Sequence, residues 1–207
     1  PVTQNPYPPF ITSTLQQEGI RKLRMSSQQV MRTAQHLYEE GYITYMRTDS
    51  ISLSSEALNA SRKTIQSLYG SDYLPNKPRI FKSKVKNAQE AHEAIRPAGS
   101  TFMHPKDIQG KLDDREWKLY DMIWKRTLAS QMKSAKLLKT NVEIANDKSI
   151  FNASGKVIEF PGFLKVYVED IDDPNKEKDD KESILPPMQK GDSIIGNGFT
   201  SNQHFTK

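Results

Sequence analysis

The spacing of apolar side chains changes once along this chain, near residue 135, and that change limits the fold more than any other feature. Before it, apolar residues recur at helical intervals; after it, they alternate. In DDREWKLYDMIWKRTLASQM (113–132), Trp117, Tyr120, Trp124 and Leu128 form a heavy stripe, and Asp113 with Glu116 has capping-box spacing. SSQQVMRTAQHLYEEG (26–41) repeats the pattern: Ser26 caps, Gln29 sits at N3, Val30, Ala34, Leu37 and Tyr38 make the stripe, and Gly41 supplies the stop. SSEALNASRKTIQSLYG (54–70) predicts a third helix through Leu58, Ile65 and Leu68. A shorter one is expected in TSTLQQEGIRKL (12–23), with Thr14 and Gln17 at capping spacing and Gly19 weakening its middle.

Past residue 135, Leu138, Thr140, Val142 and Ile144 alternate with polar neighbours, as in a half-buried strand. SIFNASGKVIEF (149–160) reads as a strand pair turning at Ser154 and Gly155, FLKVYVED (163–170) as one more strand, and 192–195 as a last one. Residues 170–183 hold almost no apolar side chain, with seven acids against three bases from Asp170 to Glu182, so a flexible acidic loop is expected there. The fold class is therefore α+β: a mainly helical domain over 1–134, then antiparallel β structure over 135–207.

Two segments interrupt the helical part. GYITYMRTDSISL (41–53), rich in β-branched and aromatic residues, favours an extended piece bracketed by two helices. AQEAHEAIRP (88–97) predicts a brief helix closed near Pro97. In an extended backbone Tyr45, Arg47 and Asp49 share one side, so a phenol, a guanidinium and a carboxylate converge, while Thr44 and Thr48 point the other way and hold the strand. That set suits phosphoryl transfer. A neutral phenol is a weak nucleophile and needs help from positive charge, a base or a metal. Arg47 can give two parallel hydrogen bonds to nonbridging oxygens, and Asp49 can orient Arg47 or a backbone loop. A structural tyrosine beside an ordinary Arg–Asp pair is the plainer account of the same residues. On a helix, His92 and Arg96 would stack on one face for phosphate work; the plainer account has Glu90, Glu93 and Arg96 solvating each other.

Charge sharpens the choice of partner. Residues 1–144 carry 22 Lys or Arg against 14 Asp or Glu, whereas 145–207 carry 8 against 11. The first part suits a polyanion, and the run Lys77, Arg79, Lys82, Lys84, Lys86 contains no acid, which favours phosphate contacts. With 27% charged residues and no apolar run near the ~20 residues of a spanning helix, no membrane role is expected. The absence of cysteine excludes disulfides and thiolate metal sites, and the four histidines form no metal-binding array. An opening at Pro1, without a targeting pattern, suggests a piece of a longer chain.

PPFITSTLQQE (8–18), LYEEGYITYMRTDS (37–50), QEAHEAIRP (89–97) and the terminal QHFTK closely resemble, in order, bacterial type IA DNA topoisomerase I. The resemblance implies that Tyr45 is the nucleophile that cuts one DNA strand and holds its 5′ phosphate, that Arg47 lies beside the scissile phosphate, and that His92 helps to position DNA. Arg96 belongs to the same family element. Tyr42 is the alternative nucleophile on sequence grounds alone, outside the Tyr45 and Arg47 register. The activity implied is relaxation of negatively supercoiled DNA by single-strand cleavage, strand passage and religation. The helical part would be the tyrosine-bearing domain and the β segment part of an arch domain. Magnesium would be bound mainly by an acidic domain with no counterpart here, so no metal or cofactor site is expected in this chain. The implied partners are DNA, single-stranded or negatively supercoiled, and other domains of the same polypeptide, in a cytoplasmic, nucleoid-associated setting. The chain alone is expected to bind DNA without relaxing it. Alternatives are a nonenzymatic single-stranded DNA-binding module or another tyrosine-dependent strand transferase, although the spread clamps of a recombinase and the histidine cluster of a relaxase are not evident.

Overall fold

A computed structural model describes residues 1–81, 92–146, 149–167, 183–184, 186, 188–196 and 198. Their elements are β1 (Val2–Gln4), α1 (Thr12–Leu23), α2 (Ser27–Glu39), α3 (Ser55–Tyr69), α4 (Pro105–Ile108), α5 (Asp114–Gln131), β2 (Ala135–Asn146), β3 (Ser149–Phe160) and β4 (Ser183–Ile184). The change of period at residue 135 is thus a change from helices to a sheet. The capping boxes of α2 and α5 form as the spacing predicts: Gln29 N donates to Ser26 Oγ at 3.2 Å, and Glu116 N to Asp113 Oδ1 at 2.8 Å. In α1 the start lies earlier than expected, since Thr14 occupies N3 and its hydroxyl accepts from Ile11 N at 3.0 Å.

Helix α5 is the core of the helical part, packed by α1, α2, α3 and α4. From Met122 to Gln131 nearly every side chain is buried, polar ones included. Most buried polar groups there have partners: Thr127 and Ser130 bond back to helix carbonyls, and Arg126 donates from Nε to Pro8 O at 2.7 Å, whereas the buried Trp124 Nε1 finds no acceptor among the described residues. The Arg126 guanidinium also lies 4.9 Å from the Phe10 ring centre and 5.1 Å from that of Tyr7. Trp124 is 2% exposed, as its stripe predicts, whereas Trp117 is half-buried and donates from Nε1 to Pro105 O at 2.8 Å.

Two stripes differ from expectation. In α3 the buried line runs through Ala57, Ala60, Ser61 and Ile65, with Leu68 45% exposed. In α2, Val30, Ala34 and Leu37 are fully buried but Tyr38 is 42% exposed. Tyr38 faces another tyrosine instead of the core, as described below.

The sheet has the order β1-β2-β3-β4, antiparallel through its first three strands, with the two-residue β4 parallel to β3. Strand β3 runs unbroken, with Gly155 opposite Thr140. The expected turn at Ser154 and Gly155 does not form, because both residues are taken into the ladder with β2. Thr140, Val142 and Ile144 are half-buried as the alternation predicts. At the start of β2, however, Ala135 and Leu137 are the buried pair and Leu138 is 39% exposed; a register shift against β3 lies between Lys136 and Leu137. The strand expected from residue 163 is instead a 3₁₀ turn, Gly162–Lys165, tied by Phe163 N to Lys133 O at 3.0 Å. Gly162, at φ +50°, lets it approach: a Cβ there would stand 2.5 Å from Lys133 O. Residues 192–196 form no strand, and the expected acidic loop lies outside the described residues apart from Ser183.

Gly19 has a packing role that its helix propensity hides. A Cβ on it would stand 2.6 Å from Val30 Cγ2, and Val30 is fully buried, so glycine allows α1 and α2 to meet. Alanine would gain up to about 1 kcal/mol of helix propensity, against about 1–3 kcal/mol for overpacking beside a stiff β-branched side chain. Gly19→Ala is expected to lower the melting temperature; a rise would show that Val30 gives way freely.

Candidate active site

Three separated stretches meet around residues 43–49. Thr12 N donates to Thr48 O at 2.9 Å, while the Thr12 hydroxyl donates to Met46 O at 2.8 Å and accepts from Thr48 N at 2.9 Å. On the other side, Thr44 N donates to Arg96 O at 2.9 Å, and the Thr44 hydroxyl accepts from Arg96 N at 3.0 Å and donates to Ala94 O at 2.8 Å. Isolated antiparallel bridges, Phe10 with Ile95 and Ile43 with Pro97, complete the lacing. Residues 92–97 are therefore extended where a helix was expected, because both edges of 94–98 find backbone partners.

The lacing sets the alternation of the segment. Met46 and Thr48 are buried, whereas Tyr45, Arg47 and Asp49 are exposed, so the two-residue register predicted from sequence holds over 45–49; Ile43, buried as well, lies outside that alternation. Tyr45 is 37% exposed, and its ring centre lies 5.7 Å from that of His92 and 5.3 Å from that of Tyr38. Tyr42 points elsewhere: it is half-buried and packs edge-on against the core ring of Tyr120 at 6.1 Å. Asp49 shares the exposed face, but among the described residues no ion pair joins it to Arg47, so the expected orienting contact is absent there.

Other candidates fall away from this face. Arg96 is 5% exposed; it pairs with Glu93 from Nε at 2.6 Å and donates from Nη1 to the carbonyls of Pro97 and Gly99. The Glu93–Arg96 pair of the plainer reading thus exists, built across an extended turn, and with the two carbonyls it engages four of the five Arg96 guanidinium N–H donors. Arg79 is likewise taken up at the end of α5, donating to Met132 O at 3.1 Å and to Ser134 Oγ at 2.6 Å, while Gln131 bonds its backbone both ways. Burial lowers the Arg79 pKa. Lys77 is exposed, and Lys82, Lys84 and Lys86 lie outside the described residues.

Sequence reasoning missed Thr12 and Tyr38 as builders of this site, and read Glu93 only as a surface partner of Arg96. Thr12 carries no local signal, since its partners are 34 and 36 residues away. Among the described residues, no group of three or more His, Asp or Glu is placed to hold a metal ion.

The helical body that runs into an antiparallel hairpin is a fold shared with a solved structure, and the sequence matches a known family. The family model described as DNA topoisomerase matches residues 1–207, and the chain belongs to that family. It is 54% identical over 93% of its length to DNA topoisomerase 1 of Synechococcus elongatus and 51% identical over its whole length to that of Mycolicibacterium smegmatis. Full-length topoisomerase I from Thermotoga maritima has the same fold over 92% of the chain and 30% of its own, with a TM-score of 0.67 and 34% identity. Within the family, the chain represents the tyrosine-bearing region of the bacterial type IA enzymes. It spans about a fifth of the length of the curated relatives it matches, 22% and 23%.

The Glu93–Arg96 pair gives the site a pH dependence. Burial raises the Glu93 pKa, but the Arg96 guanidinium, with a bond from Ser54 N, outweighs it and leaves the carboxyl below its ordinary 4.5. A lowered folded-state pKa stabilises the protein above the unfolded value, and that stability is lost as pH falls through the folded one. Glu93→Gln should therefore cost about 1.5–3 kcal/mol at neutral pH, the range for hydrogen bonds to charged groups. The gap between wild type and variant should close below about pH 4. Thermal melts of both proteins across pH check this; a gap that persists in acid would contradict it.

Proposed function

We propose that this chain supplies the nucleophile of a type IA DNA topoisomerase that relaxes negatively supercoiled DNA by transient single-strand cleavage, strand passage and religation. The observation that carries the reading is the outward alternation of Tyr45 and Arg47 beside the His92 ring. The Tyr45 oxygen attacks a backbone phosphorus of one strand: the new O–P bond forms, the P–O3′ bond breaks, and the 5′ phosphate remains on the phenol. Religation is the reverse attack by the 3′ hydroxyl. Arg47 offsets the charge that develops on the nonbridging oxygens, and its exposed guanidinium has no ion pair among the described residues to compete with that role. His92, whose ring centre lies 5.7 Å from that of Tyr45, is the neighbour to which positioning of the strand or transfer of one proton is assigned on this reading. Tyr42, engaged with Tyr120, is the poorer nucleophile.

On this reading residues 1–134 are the tyrosine-bearing domain, and the hairpin from residue 135 is part of an arch around the DNA. The magnesium associated with the family is held by acidic groups elsewhere in the full-length polypeptide. The setting is the cytoplasm, on nucleoid DNA. No helix among the described residues is long and apolar enough to cross a membrane. The chain by itself binds single-stranded DNA through basic side chains such as Arg47 and Lys77 without relaxing supercoils.

In the full-length enzyme, Tyr45→Phe should abolish the covalent DNA adduct and leave noncovalent affinity nearly unchanged, because only the oxygen is lost. Denaturing gels of labelled single-stranded DNA incubated with each protein test this; an adduct that survives the substitution moves the nucleophile to another residue. Binding by the isolated chain should weaken steeply with salt and differ little among unrelated oligonucleotides. A flat salt response in a fluorescence-anisotropy titration would contradict a phosphate-led contact.

A further inference from the structure

Lacing fixes the backbone of residue 45 but not the direction of its side chain. A tyrosine has three staggered χ1 wells, and in-line attack requires the oxygen at about 3–3.5 Å from phosphorus in one alignment. Something must select the rotamer. His92 touches one part of the Tyr45 ring; Tyr38 meets it edge to face, with 5.3 Å between centres and 68° between planes.

The end of α2 builds this second contact. Gly41, at φ +75°, adopts the left-handed conformation that reverses the chain, with Gly41 N donating to Tyr38 O at 2.9 Å and Tyr42 N to Leu37 O at 2.8 Å. The reversal carries residue 45 back over the last turn of the helix that holds Tyr38. At 42% exposed, Tyr38 sits outside the core formed by Val30, Ala34 and Leu37, so packing of the helical body does not explain its ring. Partial exposure of both tyrosines leaves the phenol open to a strand while one edge of its ring is held.

We propose that Tyr38 is a positioning residue for cleavage: its ring restricts the Tyr45 phenol to the rotamer from which it attacks. This rests on Tyr45 being the nucleophile. Edge-to-face aromatic contacts bias a two-state side chain by about two- to tenfold, which sets the scale of the effect. The ring is the active part, not the hydroxyl.

The test measures single-turnover cleavage of a labelled single-stranded oligonucleotide by the full-length enzyme, with affinity measured separately on the same strand. Tyr38→Leu should slow cleavage by about three- to tenfold, leaving affinity within about twofold, and Tyr38→Phe should restore the wild-type rate. Unchanged affinity for Tyr38→Leu, with rescue by phenylalanine, excludes simple unfolding. Wild-type cleavage by Tyr38→Leu overturns the proposal. So does a loss of affinity equal to the loss of rate, which would make Tyr38 a platform for a nucleobase, and so does failure of phenylalanine to rescue. Tyr45→Phe runs alongside: if it still forms the adduct, the nucleophile assignment itself falls, whereas loss of the adduct with no Tyr38 effect rejects only the positioning role.

Discussion

Hydrogen bonds from two threonine hydroxyls, Thr12 and Thr44, hold the rest of the site in place. Each hydroxyl both donates and accepts, so each closes two backbone gaps between segments distant in sequence. A hydroxyl can do this because it carries one donor and two acceptor lone pairs. The result is a stretch with the in-and-out alternation of a strand that belongs to no sheet. Burial of Met46 and Thr48 then forces Tyr45, Arg47 and Asp49 outward, and a one-residue slip would reverse every one of them.

The helices were legible because their evidence is local. Ser26 with Gln29 and Asp113 with Glu116 mark starts, and the stripes of α2 and α5 are read within one segment. The face shared by Tyr45 and Arg47 was legible for the same reason, since a period of two needs only neighbours. Local evidence failed where partners lie far along the chain. Residues 92–97 look helical by composition, yet Phe10 and residues 42–44 offer backbone partners on both edges. Residues Ser154 and Gly155 look like a turn, but pairing with Asn141 and Thr140 keeps them in a strand.

Charge was the least transferable signal. Lys77, Arg79 and Arg96 are alike in a count of bases, but only Lys77 is exposed, while the two arginines satisfy carbonyls, Glu93 or Ser134. Planar guanidinium groups with five donors suit such junctions better than an ammonium does. Arg79 ties the loop before the basic tract to the end of α5, where the helical body passes into the hairpin. Gly162 lets the 3₁₀ turn close over the same junction. The arginines thus serve the frame that carries the nucleophile, and the outward charge beside Tyr45 is that of Arg47.

Amide hydrogen exchange measured residue by residue tests the lacing most directly. Thr44, Thr48, Ile95 and Arg96 amides are bonded across the three stretches, whereas among the described residues those of Tyr45 and Arg47 have no such partner. Thr44, Thr48, Ile95 and Arg96 should exchange slowly, at rates approaching those of α5, with Tyr45 and Arg47 fast between them. Uniformly fast exchange over 43–49 would mean that the segment is an unheld loop and that its outward face is not built by the fold.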